Sequence, residues 1–305
     1  MPLVPFSKLM AAAEAGGYAV GYFESWNLES LLAVADAAVA ARSPVIVGFS
    51  GIYLPHPDRV VRDPLAAYAA MGRAVCEKLP VPASLLFNES PHLDWVLAAV
   101  DSGFNLVMFS DESLALPEQT ARVKEACHHA QARGVAVEAE LAALPGVGGA
   151  VTEQPAELQF TDPSAARAFV AETGVDALAV NIGQVHLHGR QKVRLNLAQL
   201  DRLRETVDVP LVLHGASSVA DADLVGAIQH GIRKINVGSV LKQTYLEGLR
   251  SAVGTVSDRD LTTGNPYELI GSGFERDVLV GGRVAMQHKV EELMRLFGSA
   301  GRAES

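Results

Sequence analysis

Apolar residues recur along this chain in two alternating rhythms. Short runs of strand composition, such as Tyr18-Ala19-Val20-Gly21-Tyr22-Phe23 and Pro44-Val45-Ile46-Val47-Gly48-Phe49-Ser50, alternate with longer stretches of helical composition. Strands are expected over 18–23, 44–50, 81–87, 104–109 and 135–141, and three more runs open at Ala177, Leu211 and Ile232. Helices are expected over 8–15, with Ser7 as its N-cap, then near 28–41, 64–78, 93–99 and 117–133. Further helices are expected from Thr161-Asp162-Pro163 to Gly174, and over 197–205, 221–230, 239–252 and 283–297. Eight strands followed by eight helices, with no linker between halves, predict an α/β chain folded as a (β/α)8 barrel. A doubly wound open sheet is the competitor, but no glycine-rich fingerprint follows the first strand. One barrel domain over 1–305 is expected, with a C-terminal helical extension from about 275.

Composition narrows the class. Hydrophobic residues make up 49% and charged residues 20%, enough apolar material for a large core. A formal net charge of −10 opposes nonspecific nucleic-acid binding, which depends on Lys and Arg neutralising phosphates, yet it leaves room for a local anion site. Cys76 and Cys127 both fall in helical segments, so neither a disulfide framework nor a thiolate cluster is expected. No signal peptide opens the sequence and no apolar run approaches ~18 residues, so a cytoplasmic protein away from the membrane is expected.

Chemistry in a (β/α)8 barrel gathers at the C-terminal ends of the strands. There the runs at 177, 211 and 232 lead to His186, His214 and Asn236. Two histidines from neighbouring staves point to a divalent metal, since neutral imidazole is its commonest protein ligand, with Glu140 two staves away. Gly215-Ala216-Ser217 and Gly238-Ser239 follow strands seven and eight, where barrel enzymes bind phosphate on backbone amides and a helix N-terminus. Glu24 and Glu89 are further strand-end carboxylates, and Glu138 shares the face of Glu140 by the strand period. Arg190 suits either a phosphate or carboxylate clamp or a solvated loop position. The glycine-rich loop at 145–149 has the composition of an active-site lid.

At these residues the chain resembles the class II, metal-dependent fructose-bisphosphate/tagatose-bisphosphate aldolase family. Val137-Glu138-Ala139-Glu140-Leu141, the run 211–217 and Ile235-Asn236-Val237 carry the resemblance, which extends over nearly the whole chain. It implies the barrel fold and a divalent metal, zinc first, with manganese, cobalt or magnesium as alternatives. His186 and His214 stand at metal-ligand positions and Glu140 at a carboxylate beside the metal. Asn236 stands where the family holds the ketose, and Ser50 lies near its carbonyl. Gly215, Ser217, Gly238, Ser239 and Arg190 stand at phosphate contacts, with Ser239 for the usual threonine and Arg190 for the usual lysine. A homo-oligomer, dimer or tetramer, is implied as well.

The departures gather where aldol chemistry occurs. The family's third strand ends His-Leu-Asp-His, whereas this chain reads Leu86-Phe87-Asn88-Glu89. The proton-moving aspartate is Asn88, whose amide is no base near neutral pH, and the metal-binding histidine is Glu89. Glu24 replaces a strand-one asparagine, Ser110 a strand-four aspartate, and Gly148 the lid glutamate. Leu187 replaces the glycine after His186. The expected function is a divalent-metal, aldolase-like carbon–carbon lyase. Its substrate would be a phosphorylated ketose or related anionic sugar acid, not fructose 1,6-bisphosphate. Glu89 would join the metal ligands or act on protons, and Glu24 would be the base if Glu89 binds metal. An isomerase or epimerase working through an enediolate, and a catalytically silent sugar-phosphate binder, are the alternatives.

Overall fold

The computed structural model describes residues 3–141, 160–185 and 192–303. Its strands are β1 (Val20–Ser25), β2 (Val45–Ser50), β3 (Ala83–Ser90), β4 (Leu106–Phe109), β5 (Ala136–Glu140), β6 (Ala177–Ala179), β7 (Leu211–Leu213) and β8 (Ile232–Val237). All pair in parallel in chain order, and β8 returns to β1 to close the barrel. The first helix, α1 (Phe6–Gly16), precedes β1. Strands one to seven are followed by α2 (Leu28–Ala41), α3 (Leu65–Cys76), α4 (Leu93–Ser102), α5 (Leu116–Gln131), α6 (Pro163–Thr173), α7 (Leu197–Thr206) and α8 (Asp221–Gln229). After β8 come α9 (Ser239–Val253), the short α10 (Asp258–Thr263) and α11 (Pro266–Leu269), and the long α12 (Val278–Leu296). Among the described residues no helix is long and apolar enough to cross a membrane.

Local chemistry sets the helix limits. Asn27 accepts the Ser30 amide in a reciprocal capping box at the start of α2, and Asp162 caps α6 ahead of Pro163. Gly174 ends α6 in the left-handed conformation. Ser7 is not the cap of α1: Pro5 occupies that position without a side-chain bond, and Ser7 lies inside the first turn. The Pro5 ring pre-sets the backbone entry, so the helix starts earlier than a side-chain cap would place it.

Two apolar layers hold the barrel. Outward-facing strand residues such as Phe23, Val47, Phe87 and Val107 pack under the surrounding helices. Inside, Val20, Tyr22, Ile46, Leu86, Leu106 and Val212 form a separate cluster, and Phe6, Leu9 and Met10 of α1 join it. The apolar face of α1 thereby closes the N-terminal end of the barrel. Further up each stave the inward position turns polar, from Tyr22 to Glu24 on β1 and from Leu86 to Asn88 on β3. Apolar filling below and polar side chains above put the chemistry at the C-terminal mouth.

Three strand limits differ from the sequence expectation. Asn88 and Glu89 lie inside β3 rather than beyond it, whereas β6 and β7 keep three residues each. Residues after Ala179 and Leu213 turn their amides to side chains and loop carbonyls, as Ile182 does to Gln184 Oε1 at 2.9 Å and Gly183 to Asn181 Oδ1 at 3.0 Å. The segment between α9 and α12 also forms two short helices, α10 capped by Ser257 and α11 by Asn265, whose lengths give no periodic signal.

Candidate active site at the barrel mouth

His214 follows the last residue of β7 and is almost wholly buried. Its Nδ1 lies 2.8 Å from Glu89 Oε1 and its Nε2 lies 2.7 Å from Glu138 Oε1. Burial alone would favour the neutral ring, but the carboxylates of Glu89 and Glu138 on either side outweigh it and push the imidazole up to about 10. In this arrangement both ring nitrogens donate.

Glu138 reaches the mouth from β5 and is fully buried. Lys234 Nζ, equally buried on β8, lies 2.7 Å from its Oε2. Burial opposes the Glu138 charge, yet Lys234 and His214 overcome it and hold the carboxyl below its ordinary range. Burial pulls the Lys234 ammonium down, with Glu138 resisting. The same ammonium donates to Asn236 Oδ1. That fixes the amide, so Asn236 Nδ2 faces His214 Nε2 at 2.9 Å and Asn88 Oδ1 at 3.3 Å. Because Nε2–H already points to Glu138, the bond Asn236 donates is the one to Asn88. Asn88 in turn donates from Nδ2 to Glu89 Oε2 at 2.8 Å. Six side chains thus form a closed circuit: Glu89, His214, Glu138, Lys234, Asn236 and Asn88.

Backbone geometry delivers Glu89 to this circuit. Its φ is 53°, in the left-handed region that non-glycine residues seldom occupy, and the β3–β4 register shifts between Phe87 and Ser90. A regular strand would have alternated Glu89 away from Asn88; the kink brings both side chains inward. Such a strained residue is characteristic of functional sites. Sequence periodicity gives no warning of it.

Other expected residues form the rim. Glu140, inward of β5, accepts a hydrogen bond from Ser110 Oγ, and burial reinforced by Glu89 pushes its carboxyl up to about 7 despite opposing His214 and Ser110. Glu24 accepts from Lys242 Nζ of α9. Burial raises the Glu24 carboxyl, and Lys242 limits the rise. A Cβ on Gly238 would sit 2.5 Å from Glu24 Oε2, so a side chain there would require the carboxylate to shift. Gly215 adopts φ 65°, opening a single 3-10 turn over Ala216–Ser218. Within it Ser217 Oγ accepts from Val240 N at 3.3 Å, at the N-terminus of α9 beside Ser239. Lys192 Nζ donates to the Ser217 carbonyl at 2.8 Å. Ser50 ends β2 and its Oγ accepts from Ile52 N at 3.3 Å.

His186, Arg190 and the lid position Gly148 lie outside the described residues. Among the described residues no group of three His, Cys, Asp or Glu side chains is arranged to hold a metal ion. His214 and Glu89 nevertheless converge on one point, and Glu138 secures the opposite ring nitrogen. Imidazole and carboxylate are donor types that divalent metals take, the ring serving only once Nδ1 has given up its proton. Lys234 and Lys242 join the site although neither ends an apolar run. A lysine inside an apolar strand, two residues below Asn236 on the same face, is the signal for the first. Lys242 follows Gly238 by one helical turn, which places it over the same rim.

Fold and mouth together define a (β/α)8 barrel with a polar site at its C-terminal end. The chain belongs to the class II fructose-bisphosphate aldolase family, whose profile matches residues 4–302. It is 33% identical over 287 residues to the uncharacterized protein YdjI of Escherichia coli K12, covering 94% of each chain. The crystal structure of the YdjI aldolase from that organism matches with TM-score 0.79 and 29% identity, over 99% of this chain and 100% of the other. A candidate fructose-1,6-biphosphate aldolase from Coccidioides immitis matches with TM-score 0.80 and 25% identity, over 98% of each chain.

Proposed function

We propose that this protein is a divalent-metal-dependent carbon–carbon lyase acting on a phosphorylated ketose or related sugar acid other than fructose 1,6-bisphosphate. The observation that carries the reading is the convergence of Glu89 and His214 inside a closed polar circuit, beside the serine-lined N-terminus of α9. Glu89 Oε1, His214 Nδ1 and His186 would hold the metal, with Glu140 near; zinc suits imidazole and carboxylate donors, and manganese, cobalt or magnesium compete. A bound divalent ion supplies Lewis-acid stabilisation of charge developing on a carbonyl oxygen. Glu138 keeps His214 Nε2–H engaged and so fixes the ring, while Lys234 keeps Glu138 ionised. Ser217, Ser239 and the amides at the start of α9 bind the phosphate, with Gly215 and Gly238 letting the backbone approach. Asn236 steadies the ketose oxygens and Ser50 the carbonyl end. Glu24 moves the proton: its burial-raised affinity suits a base, and Lys242 keeps it charged until substrate arrives.

The test has two parts. Wild-type protein carries near-stoichiometric divalent metal, and the His186→Ala/His214→Ala double variant carries none. Metal-loaded wild type incubated with a panel of ketose 1-phosphates releases an aldehyde fragment, read with a carbonyl-trapping reagent. Equal metal in both proteins would refute the metal site. Sugar conversion without aldehyde release would make the protein an isomerase or epimerase instead.

A further inference from the structure

Beside Glu24 lies a cavity of about 120 Å³, over the ends of β1 and β2. Typical ligand pockets measure roughly 300–1,000 Å³, so this one suits only the end of a small molecule. Trp26, Phe49, Tyr53 and Tyr68 wall it with aromatic surface. Its polar groups are Glu24, Ser25, Ser50, Arg59 and Lys242. The Ser25 side chain is 2% exposed, and its hydroxyl has no hydrogen-bond partner among the described residues. A buried hydroxyl without a partner costs stability, and a ligand hydroxyl reaching it would remove that cost.

Both cations of the cavity are already committed. Lys242 is bound to Glu24 and lies 4.7 Å from the Tyr53 ring centre and 5.8 Å from that of Trp26. Arg59 Nη2 donates to Asp63 at 2.6 Å and its Nε to the Val61 carbonyl at 2.9 Å, while Tyr68 donates to the same Asp63 oxygen at 3.1 Å. A phosphate or carboxylate entering here would meet the Glu24 charge, and the cations beside it are already neutralised by Glu24 and Asp63. A neutral polyol meets no such obstacle. Its hydroxyls find Ser25, Ser50 and Glu24, and its C–H edges lie against aromatic faces.

We propose that this cavity binds the uncharged, hydroxylated end of the substrate, so that the protein takes sugars bearing their phosphate at one end only. The link to substrate rests on the lyase reading above; the binding itself does not. Trp26 and Trp95 are the two tryptophans of the chain, and Trp95 stacks on Phe87 away from the cavity. In a Trp95→Phe variant the fluorescence therefore reports on Trp26 alone. Erythritol, erythritol 4-phosphate and erythronate, which differ in end-group charge, are titrated into it with inorganic phosphate saturating the anion site proposed at the start of α9, so that only the cavity is read. Erythritol gives a saturable change, and both anions bind at least about tenfold more weakly, since each meets the Glu24 charge. Ser25→Ala weakens erythritol about 3- to 10-fold, the loss of one neutral hydrogen bond, and leaves binding of inorganic phosphate unchanged. Should Trp95→Phe fail to fold, the same titrations are read by calorimetry in wild type. Tighter binding of either anion, no erythritol binding, or no effect of Ser25→Ala would overturn the proposal. If these results fail while aldehyde is still released, only the cavity assignment falls. If erythritol binds as expected and no aldehyde appears, only the lyase reading falls.

Discussion

Asn88 keeps the outline of an aspartate while exchanging one oxygen for a donor, and the structure gives that donor a use. Its Nδ2 holds Glu89 Oε2 at 2.8 Å, which two carboxylates could not do without repulsion. Relative to the family's Asp-His pair, Asn88-Glu89 moves one negative charge along the strand by a residue and leaves the total unchanged. The two departures read from sequence as separate losses are one coupled rearrangement. We predict that Asn88→Asp destabilises the metal-free protein by about 1.5–3 kcal/mol, the range for a hydrogen bond to a charged group. The penalty largely disappears in Asn88→Asp/Glu89→Gln. Denaturation midpoints of the wild type, both single variants and the double variant measure this, and additive effects would show that the side chains do not interact. His214, Glu89 and Asn236 were legible because each ends an apolar run. The circuit joining them was not, because it depends on the kink at Glu89 and on Lys234, a residue hidden inside a strand.

At the scale of elements, period and caps carried most of the information: α2 runs from Leu28 to Ala41 as its composition predicts, and α6 lies between Asp162 and Gly174. The excursion after β8 was less legible, because α10 and α11 are too short to show a period. It ends where Asp277 caps α12, accepting from Gly273 N at 2.8 Å and Leu279 N at 3.0 Å. Burial opposes the Asp277 charge, but these backbone N–H groups prevail and hold the carboxyl below its ordinary range. α12 lies against α2 and α9, so its start bears on the whole C-terminal layer. Asp277→Ala should cost about 1–2 kcal/mol in denaturant unfolding. The sign of the pH effect follows from the lowered value: the contribution is complete above roughly pH 4 and fades as pH falls through the folded value. The stability gap between wild type and Asp277→Ala should therefore narrow below pH 4. A gap independent of pH would assign the loss to packing rather than to the charged cap.

Across the whole molecule the barrel's interior divides into an apolar lower half sealed by α1 and a charged upper half, and among the described residues the balance at the top is acidic. Glu24, Glu89, Glu138 and Glu140 face the mouth region against Lys234, Lys242 and His214. Lys234 is paired with Glu138 and Lys242 with Glu24, so the charge of each cation is already balanced by a carboxylate. The proposed anion site lies at Ser217 and the start of α9, whereas the cavity beside Glu24 is walled by aromatic rings. Fructose 1,6-bisphosphate carries phosphate at both ends and needs a base where this chain has Asn88. Losing a positioned general base costs roughly 10²–10⁴-fold, and placing a second phosphate beside a carboxylate adds to that penalty. We predict that metal-loaded wild type cleaves fructose or tagatose bisphosphate at least about 10²-fold more slowly than the roughly 1–10³ s⁻¹ usual for enzymes. A ketose 1-phosphate with an uncharged far end should be cleaved faster than either bisphosphate at equal concentration. Steady-state release of aldehyde from the three substrates decides it. Bisphosphate turnover within the usual range would mean that another group replaces Asn88 as base and that the Lys242–Glu24 pair opens for phosphate.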